Sequence, residues 1–270
     1  MAIRALSTAA SGMTTLQSNI DIIANNLANV NTTGYKRQRG EFQDLLYQQL
    51  IQPGFAAASP DATNPTGIQV GHGVKLVGTN RVFEQGALNN TGRELDWAID
   101  GQGFFQVLLA DGQTIAYTRD GSFHRDVQGN IVTAQGLRLR DQLQVPQEVI
   151  NVSISQTGLV QGLDPTNPNQ PVAIGQITLA RFSNPAGLRS IGDNLFVTSP
   201  AAGQNGQPVE EVNPGSGGVG VTRDRFLEAS NVEVVQELVE MITTQRAFEI
   251  NATSIRTADE MLQTVNNLRR

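Results

Sequence analysis

The first 34 residues repeat their apolar side chains in sevens. Leu6, Met13, Ile20 and Leu27 form one row, and Ala9, Leu16, Ile23 and Val30 form a second, three residues further on. This is an a/d seam sustained over four heptads, the pattern of a helix lying along another helix. Gly34 suits the left-handed position just past a helix end, so the spacing predicts a helix over 1–34. The other end of the chain repeats the pattern. Val234, Met241, Phe248, Ile255 and Leu262 recur every seven residues, and Leu238, Ala252, Ala258 and Val265 fill most of the second row, which Gln245 interrupts. Ser230 followed by Glu233 fits a capping box, predicting a helix that begins near Asn231 and runs past Asn267.

Between the ends the pattern changes. All 11 prolines lie between Pro53 and Pro214, and 24 of the 27 glycines lie between Gly54 and Gly220. Both residues disfavour helix interiors and favour turns, so the middle reads as β structure. The expected strands are 103–109, 114–118, 130–133, 176–182 and 194–198. Turn signals separate them at Asp111-Gly112, Asp120-Gly121, Gln128-Gly129-Asn130 and Asn184-Pro185. Residues 52–66, rich in Ala, Pro, Gly and Asn, read as a long loop or extended hairpin, and 200–220 as a flexible return. The predicted fold class is α+β, with long N- and C-terminal helices paired as an antiparallel coiled coil and a central, mainly antiparallel β region. Four segments follow: an N-terminal helix (1–34), a connector with an extended hairpin or loop (35–70), a central β domain (71–225) and a C-terminal helix (226–270).

The polar residues of the helices add a second expectation. Residues 1–34 carry only two charges, Arg4 and Asp21. A solvated helix face normally carries many. A face of Ser, Thr, Asn and Gln can instead be buried without desolvating ions, provided its hydrogen bonds are met. The expectation is an apolar seam inside the subunit and a neutral polar face between subunits. Such Asn-rich helices have low intrinsic propensity, so the ends are expected to order fully only among neighbours.

Composition narrows the function. A net charge of -6 argues against a nucleic-acid binder. The absence of cysteine removes disulfides and thiolate metal sites. No apolar stretch approaches the roughly 20 residues needed to span a bilayer. The N-terminus lacks the continuous apolar core of a secretory signal, so a secretory route is not expected. Catalytic signals are weak. Gly215, Gly217 and Gly220 have the spacing GxGxxG, but Pro214 precedes them and polar residues follow, which favours a linker over a dinucleotide loop. His72 and His124 have no second histidine at metal-ligand spacing. Glu237, Glu240, Glu249 and Glu260 read as solvated helix charges or ion pairs. Neither a Walker loop nor a GxSxG motif is present, and no catalytic residue, cofactor or metal ligand is assigned.

Longer motifs point elsewhere. The run ANNLANVNTTGYKR (Ala24 to Arg37) closely resembles the signature of the rod, hook and hook-associated proteins of bacterial flagella. Its motif residues are Asn25, Asn26, Leu27, Ala28, Asn29, Gly34, Tyr35, Lys36 and Arg37. The following QRGEFQDLLYQQLIQPG (Gln38 to Gly54) is similar to the distal-rod branch of that family, and Ser230 to Val265 resembles its C-terminal tail. AIDGQGFFQV (Ala98 to Val107), YTRDGSF (Tyr117 to Phe123) and IGDNLF (Ile191 to Phe196) resemble its β domain.

The resemblance implies a structural subunit of the flagellar basal-body distal rod. It would polymerise helically into a hollow rigid shaft that transmits torque from motor to hook and passes exported subunits. Implied partners are other copies of the chain, proximal rod proteins, the hook protein or hook cap, the peptidoglycan-ring and outer-membrane-ring proteins, and the flagellar type III export apparatus. The implied location is the periplasm-spanning rod, reached without a cleaved signal peptide. No nucleic acid, membrane insertion or cofactor is implied. The assembly seam would comprise Leu6, Met13, Leu16, Ile20, Ile23, Leu27, Val30, Val234, Leu238, Met241, Phe248, Ile255, Leu262 and Val265. Two alternatives remain at this point: a proximal rod or hook subunit of the same family, and a periplasmic cell-wall hydrolase.

Overall fold

The computed structural model describes residues 2–51, 66–165, 171–203, 208 and 210–267. The chain is α+β, and it divides into two compact units. One comprises residues 1–27, 38–80 and 233–270, and the other 28–37 and 81–232. The loop expected at 52–66 lies almost wholly outside the described residues.

The first unit holds both long helices, α1 (Ala2–Ala28) and α2 (Val234–Asn267). Helix α1 stops at Ala28 and not near Gly34. Asn29 ends it by offering the backbone another partner. Its carbonyl accepts the Thr32 N–H at 3.1 Å and its side-chain oxygen accepts the Thr32 hydroxyl at 3.1 Å, closing a local turn. Helix α2 likewise begins at Val234, three residues after the expected Asn231. The Asn231 side chain is committed elsewhere. Its amide donates to the carbonyls of Val82 and Glu84, and its oxygen accepts the Arg37 N–H at 2.7 Å. The Ser230 hydroxyl accepts the Val232 N–H at 3.3 Å and does not cap the helix.

Two ladders complete this unit. Strand Gln38–Asp44 pairs with Val74–Arg81, and Tyr47–Ile51 pairs antiparallel with Ile68–Gly71.

The second unit is built on a four-stranded antiparallel sheet in the order Arg189–Gly192, Leu195–Val197, Ile115–Thr118, Phe105–Leu108. Side chains alternate between the faces of a strand, and here both faces are covered. Phe105, Val107, Ala116, Leu195 and Val197 enter one core with Trp97, Phe123, Ile131, Leu139 and Ile177. Phe104, Tyr117 and Phe196 enter a second, smaller core with Phe182 and Leu188. Its rings meet edge to face, Tyr117 and Phe182 at 4.8 Å and 89°. A three-stranded sheet (Ile150–Ile154, Leu159–Leu163, Pro171–Gln176) and two-stranded ladders, among them Leu179–Arg181 with Glu210–Val212 and Trp97–Asp100 with Val221–Asp224, close the large core. Gly121 allows the close approach of Trp97, whose carbonyl oxygen would lie 1.6 Å from any Cβ at that position.

Most expected strands lie where the pattern placed them, but 176–182 divides. Gln176 ends one strand and Leu179–Arg181 begins another, paired with Glu210–Val212. The break sits at Thr178, whose N–H and hydroxyl both donate to the Asp141 carboxylate at 2.9 Å. The strand Glu210–Val212 also shows that the stretch 200–220 holds regular structure within what reads as a return loop. Gly215 to Gly220 forms a turn closed by a hydrogen bond between those two residues.

Burial pushes the Tyr117 phenol up to about 12, with the Glu211 carboxylate adding to the effect. The folded state therefore favours the neutral phenol. The resulting stability is complete below the ordinary pKa of 10.0 and is lost as pH rises through about 12. Urea unfolding followed by the fluorescence of Trp97, the single tryptophan, is expected to show that loss. Tyr117→Phe is expected to flatten it.

Candidate assembly interface

Helices α1 and α2 touch at regular intervals. At Gly12, a Cβ would stand 3.4 Å from Asn251 Nδ2. Asn19 Nδ2 donates to Thr244 Oγ1 at 3.3 Å, and Asn26 Nδ2 donates to Glu237 Oε2 at 3.2 Å. The contacts advance by seven residues along α1 and retreat by seven along α2, so the two helices run antiparallel. Thr15, Ile23, Asn26, Glu237, Thr244 and Ala258 are the buried side chains of the pair. The contact row is mostly small or polar. Gly12 faces the Asn251 side chain, and the Asn19 and Asn26 amides donate across the pair to a hydroxyl and a carboxylate.

Asn26 is the best connected of these. It is 1% exposed, accepts the Gln38 N–H at 2.9 Å and donates to the Gln38 carbonyl at 2.8 Å as well as to Glu237. One side chain thus ties α1, the first strand and α2.

The expected seam residues fall at different depths. Ile23 is buried. Leu6, Met13, Leu16, Ile20, Leu27, Val30, Met241, Phe248, Ile255 and Leu262 are half-buried, with Val30 beyond the end of α1. Val234 and Leu238 are exposed in the single chain. The side chain of Val265 falls outside the described residues. Counting apolar residues missed the row Gly12, Asn19, Asn26 and its complement Glu237, Thr244, Asn251. The signal was present, since these positions also recur in sevens, but it is written in small and polar types.

The later motif residues build a second feature, inside the other unit. The Lys36 ammonium and the Glu228 carboxylate form an ion pair at 2.5 Å with both side chains fully buried. Arg119, also buried, reaches the other Glu228 oxygen at 3.3 Å and lies over the Phe104 ring at 5.3 Å. Lys36 further donates to the Glu84 carbonyl at 2.7 Å, and Gly86 N–H donates to Glu228 at 3.0 Å. Burial lowers the pKa of Lys36 and of Arg119, and Glu228 opposes the shift in both. Gly34 adopts φ +67° and donates its N–H to the Glu228 carbonyl at 2.8 Å. A Cβ there would meet the Arg119 backbone at 2.8 Å, so the motif requires glycine. Tyr35 receives the Arg81 guanidinium at 5.7 Å from its ring. Asn25 and Ala28 are exposed on α1, and Asn29 forms the turn described above.

Three family models match the same stretches. They are described as a flagella basal body rod protein (residues 6–36), the D1 domain of flagellar hook protein FlgE/F/G (98–162) and the C-terminal part of the flagellar basal body rod FlgEFG protein (223–268). Over 269 residues the chain is 48% identical to the flagellar basal-body rod protein FlgG of Borreliella burgdorferi, covering 99% of each chain. The chain belongs to the FlgG family of flagellar basal-body rod proteins. It is 46% identical to the FlgG of Caulobacter vibrioides over 98% of this chain and 99% of that one. It is 37% identical to the FlgG of Bacillus subtilis over 99% of this chain and all of that one. The family signature over 6–36 therefore contains the Asn26 contact, and the C-terminal match contains Glu228 and Glu237.

Glu228→Gln leaves two buried cations without their counter-charge. Removing one partner of a buried ion pair costs about 3–5 kcal/mol, and a lower urea midpoint by Trp97 fluorescence is the expected readout. Asn26→Leu removes the hydrogen bonds to both Gln38 backbone groups and to the Glu237 carboxylate. It is expected to destabilise the helix pair by about 1–3 kcal/mol, read as lost helical circular dichroism at lower temperature.

Proposed function

We propose that this chain is a structural subunit of the flagellar distal rod, working by polymerisation and not by catalysis. In this reading α1 and α2 pair as an antiparallel coiled coil, and many copies stack helically so that the paired helices line a hollow shaft. The observation that carries it is the seven-residue spacing of the contacts at Gly12/Asn251, Asn19/Thr244 and Asn26/Glu237. Helices from the two chain ends with a repeating contact row form a stiff element that can be stacked. Heterologous contacts between identical copies then give an open helical polymer. Such a shaft, crossing the periplasm, would carry torque from motor to hook and pass exported subunits. Its partners would be further copies, proximal rod proteins, the hook protein or hook cap, the two ring proteins and the flagellar type III export apparatus.

The test is electron microscopy of basal bodies from cells whose own copy is replaced by this chain. Rods containing it between the rings and the hook are the expected result, and its absence from them would overturn the reading. Ile23→Asp places a carboxylate in a site 2% exposed at the helix contact. It is expected to abolish rods while Trp97 fluorescence reports an intact second unit.

A further inference from the structure

The contact with α1 uses one side of α2, that of Glu237, Thr244 and Asn251. At 3.6 residues per turn, Val235, Val239 and Ile242 lie on the opposite side, with Leu238 beside them. These four occupy positions i, i+3, i+4 and i+7, the spacing of a packing stripe. They are nonetheless 69%, 56%, 56% and 42% exposed. The ridge is bounded by Arg246, and an exposed Ile250 continues the side beyond it. A contiguous apolar ridge of this kind on a helix marks an interaction site.

The same unit carries a surface of matching chemistry. A groove of about 390 Å³ lies between Gly12, Leu16, Phe42, Val74 and Ala247, with Thr15 and Asn251 completing its wall. Phe42 is 40% exposed at its edge. Ridge and groove involve different residues, so a contact in which one copy's ridge enters the next copy's groove is heterologous. Such a head-to-tail contact extends into an open filament wherever its rotation does not close a ring, which is the geometry a polymer needs.

We propose that the ridge Val235, Leu238, Val239 and Ile242 docks into the Leu16–Phe42–Val74 groove of a second copy of this chain. The inference rests on the rod reading above and names the surface through which copies meet. It adds an apolar surface to the neutral polar face that the sequence leads one to expect between subunits. The polar row is spent inside the chain, and the apolar ridge faces outward.

The test uses the absence of cysteine from the chain. A full-length chain carrying Val239→Cys and Leu16→Cys, oxidised in isolated basal bodies, is expected to give a ladder of covalent multimers. Each single-cysteine variant is expected to give none. A dimer from Val239→Cys alone would mean ridge meeting ridge, and a product linked to a different rod protein would mean another occupant. Either result overturns the proposal, as does failure of the double variant to cross-link within normal rods. In a second arm, Val239→Asp with Ile242→Asp is expected to reduce rod number at least tenfold with α-helical circular dichroism of the purified chain retained. Normal rods from that variant would sink the docking proposal and leave the rod reading intact. Absence of the unaltered chain from rods would overturn both.

Discussion

The carboxylate of Glu228 holds the second unit together at the point where the chain enters and leaves it. It is shared between Lys36 and Arg119 and accepts the Gly86 N–H, all out of water. Each cation alone would be too costly to bury, and the anion between them makes the arrangement tolerable. Because Lys36 follows α1 in sequence and Glu228 precedes α2, one ion cluster fixes both chain segments that lead to the helices. The surrounding geometry follows from it. Gly34, in a left-handed conformation hard against the Arg119 backbone, donates its N–H to the Glu228 carbonyl, and Asn231 stays outside the helix and binds Arg37, Val82 and Glu84.

In the other unit the polar groups do a different job. Asn26 binds the first strand and Glu237 at once, and Asn19 and Gly12 continue the row toward Thr244 and Asn251. A polar helix contact is weaker per unit area than an apolar one, but its hydrogen bonds demand a single register. Register matters for an element that must be stacked identically many times. The arrangement also leaves apolar side chains of α2 unspent on its far side, where a polymer can use them.

The second unit illustrates how far alternation alone carries. Phe104-Phe105, Ala116-Tyr117 and Leu195-Phe196-Val197 each send neighbouring residues to opposite faces, so a short sheet anchors two cores. The turn at Asp111-Gly112 was legible because Asp111 accepts the N–H groups of Gln113 and Thr114. The break at Thr178 was not, because it depends on Asp141, 37 residues away.

The sequence by itself determined that both ends are helical, that the middle is antiparallel β structure, and that the chain belongs among flagellar rod proteins. Those properties rest on local period, turn chemistry and contiguous motifs, all readable along one dimension. Only the tertiary structure decided where α1 and α2 begin and end, that Glu228 joins Lys36 to Arg119, and which side of each helix meets the other. A helix carries several stripes at once, and its period does not say which is used. That choice falls to hydrogen bonds such as Asn26–Glu237, between residues 211 apart in the chain.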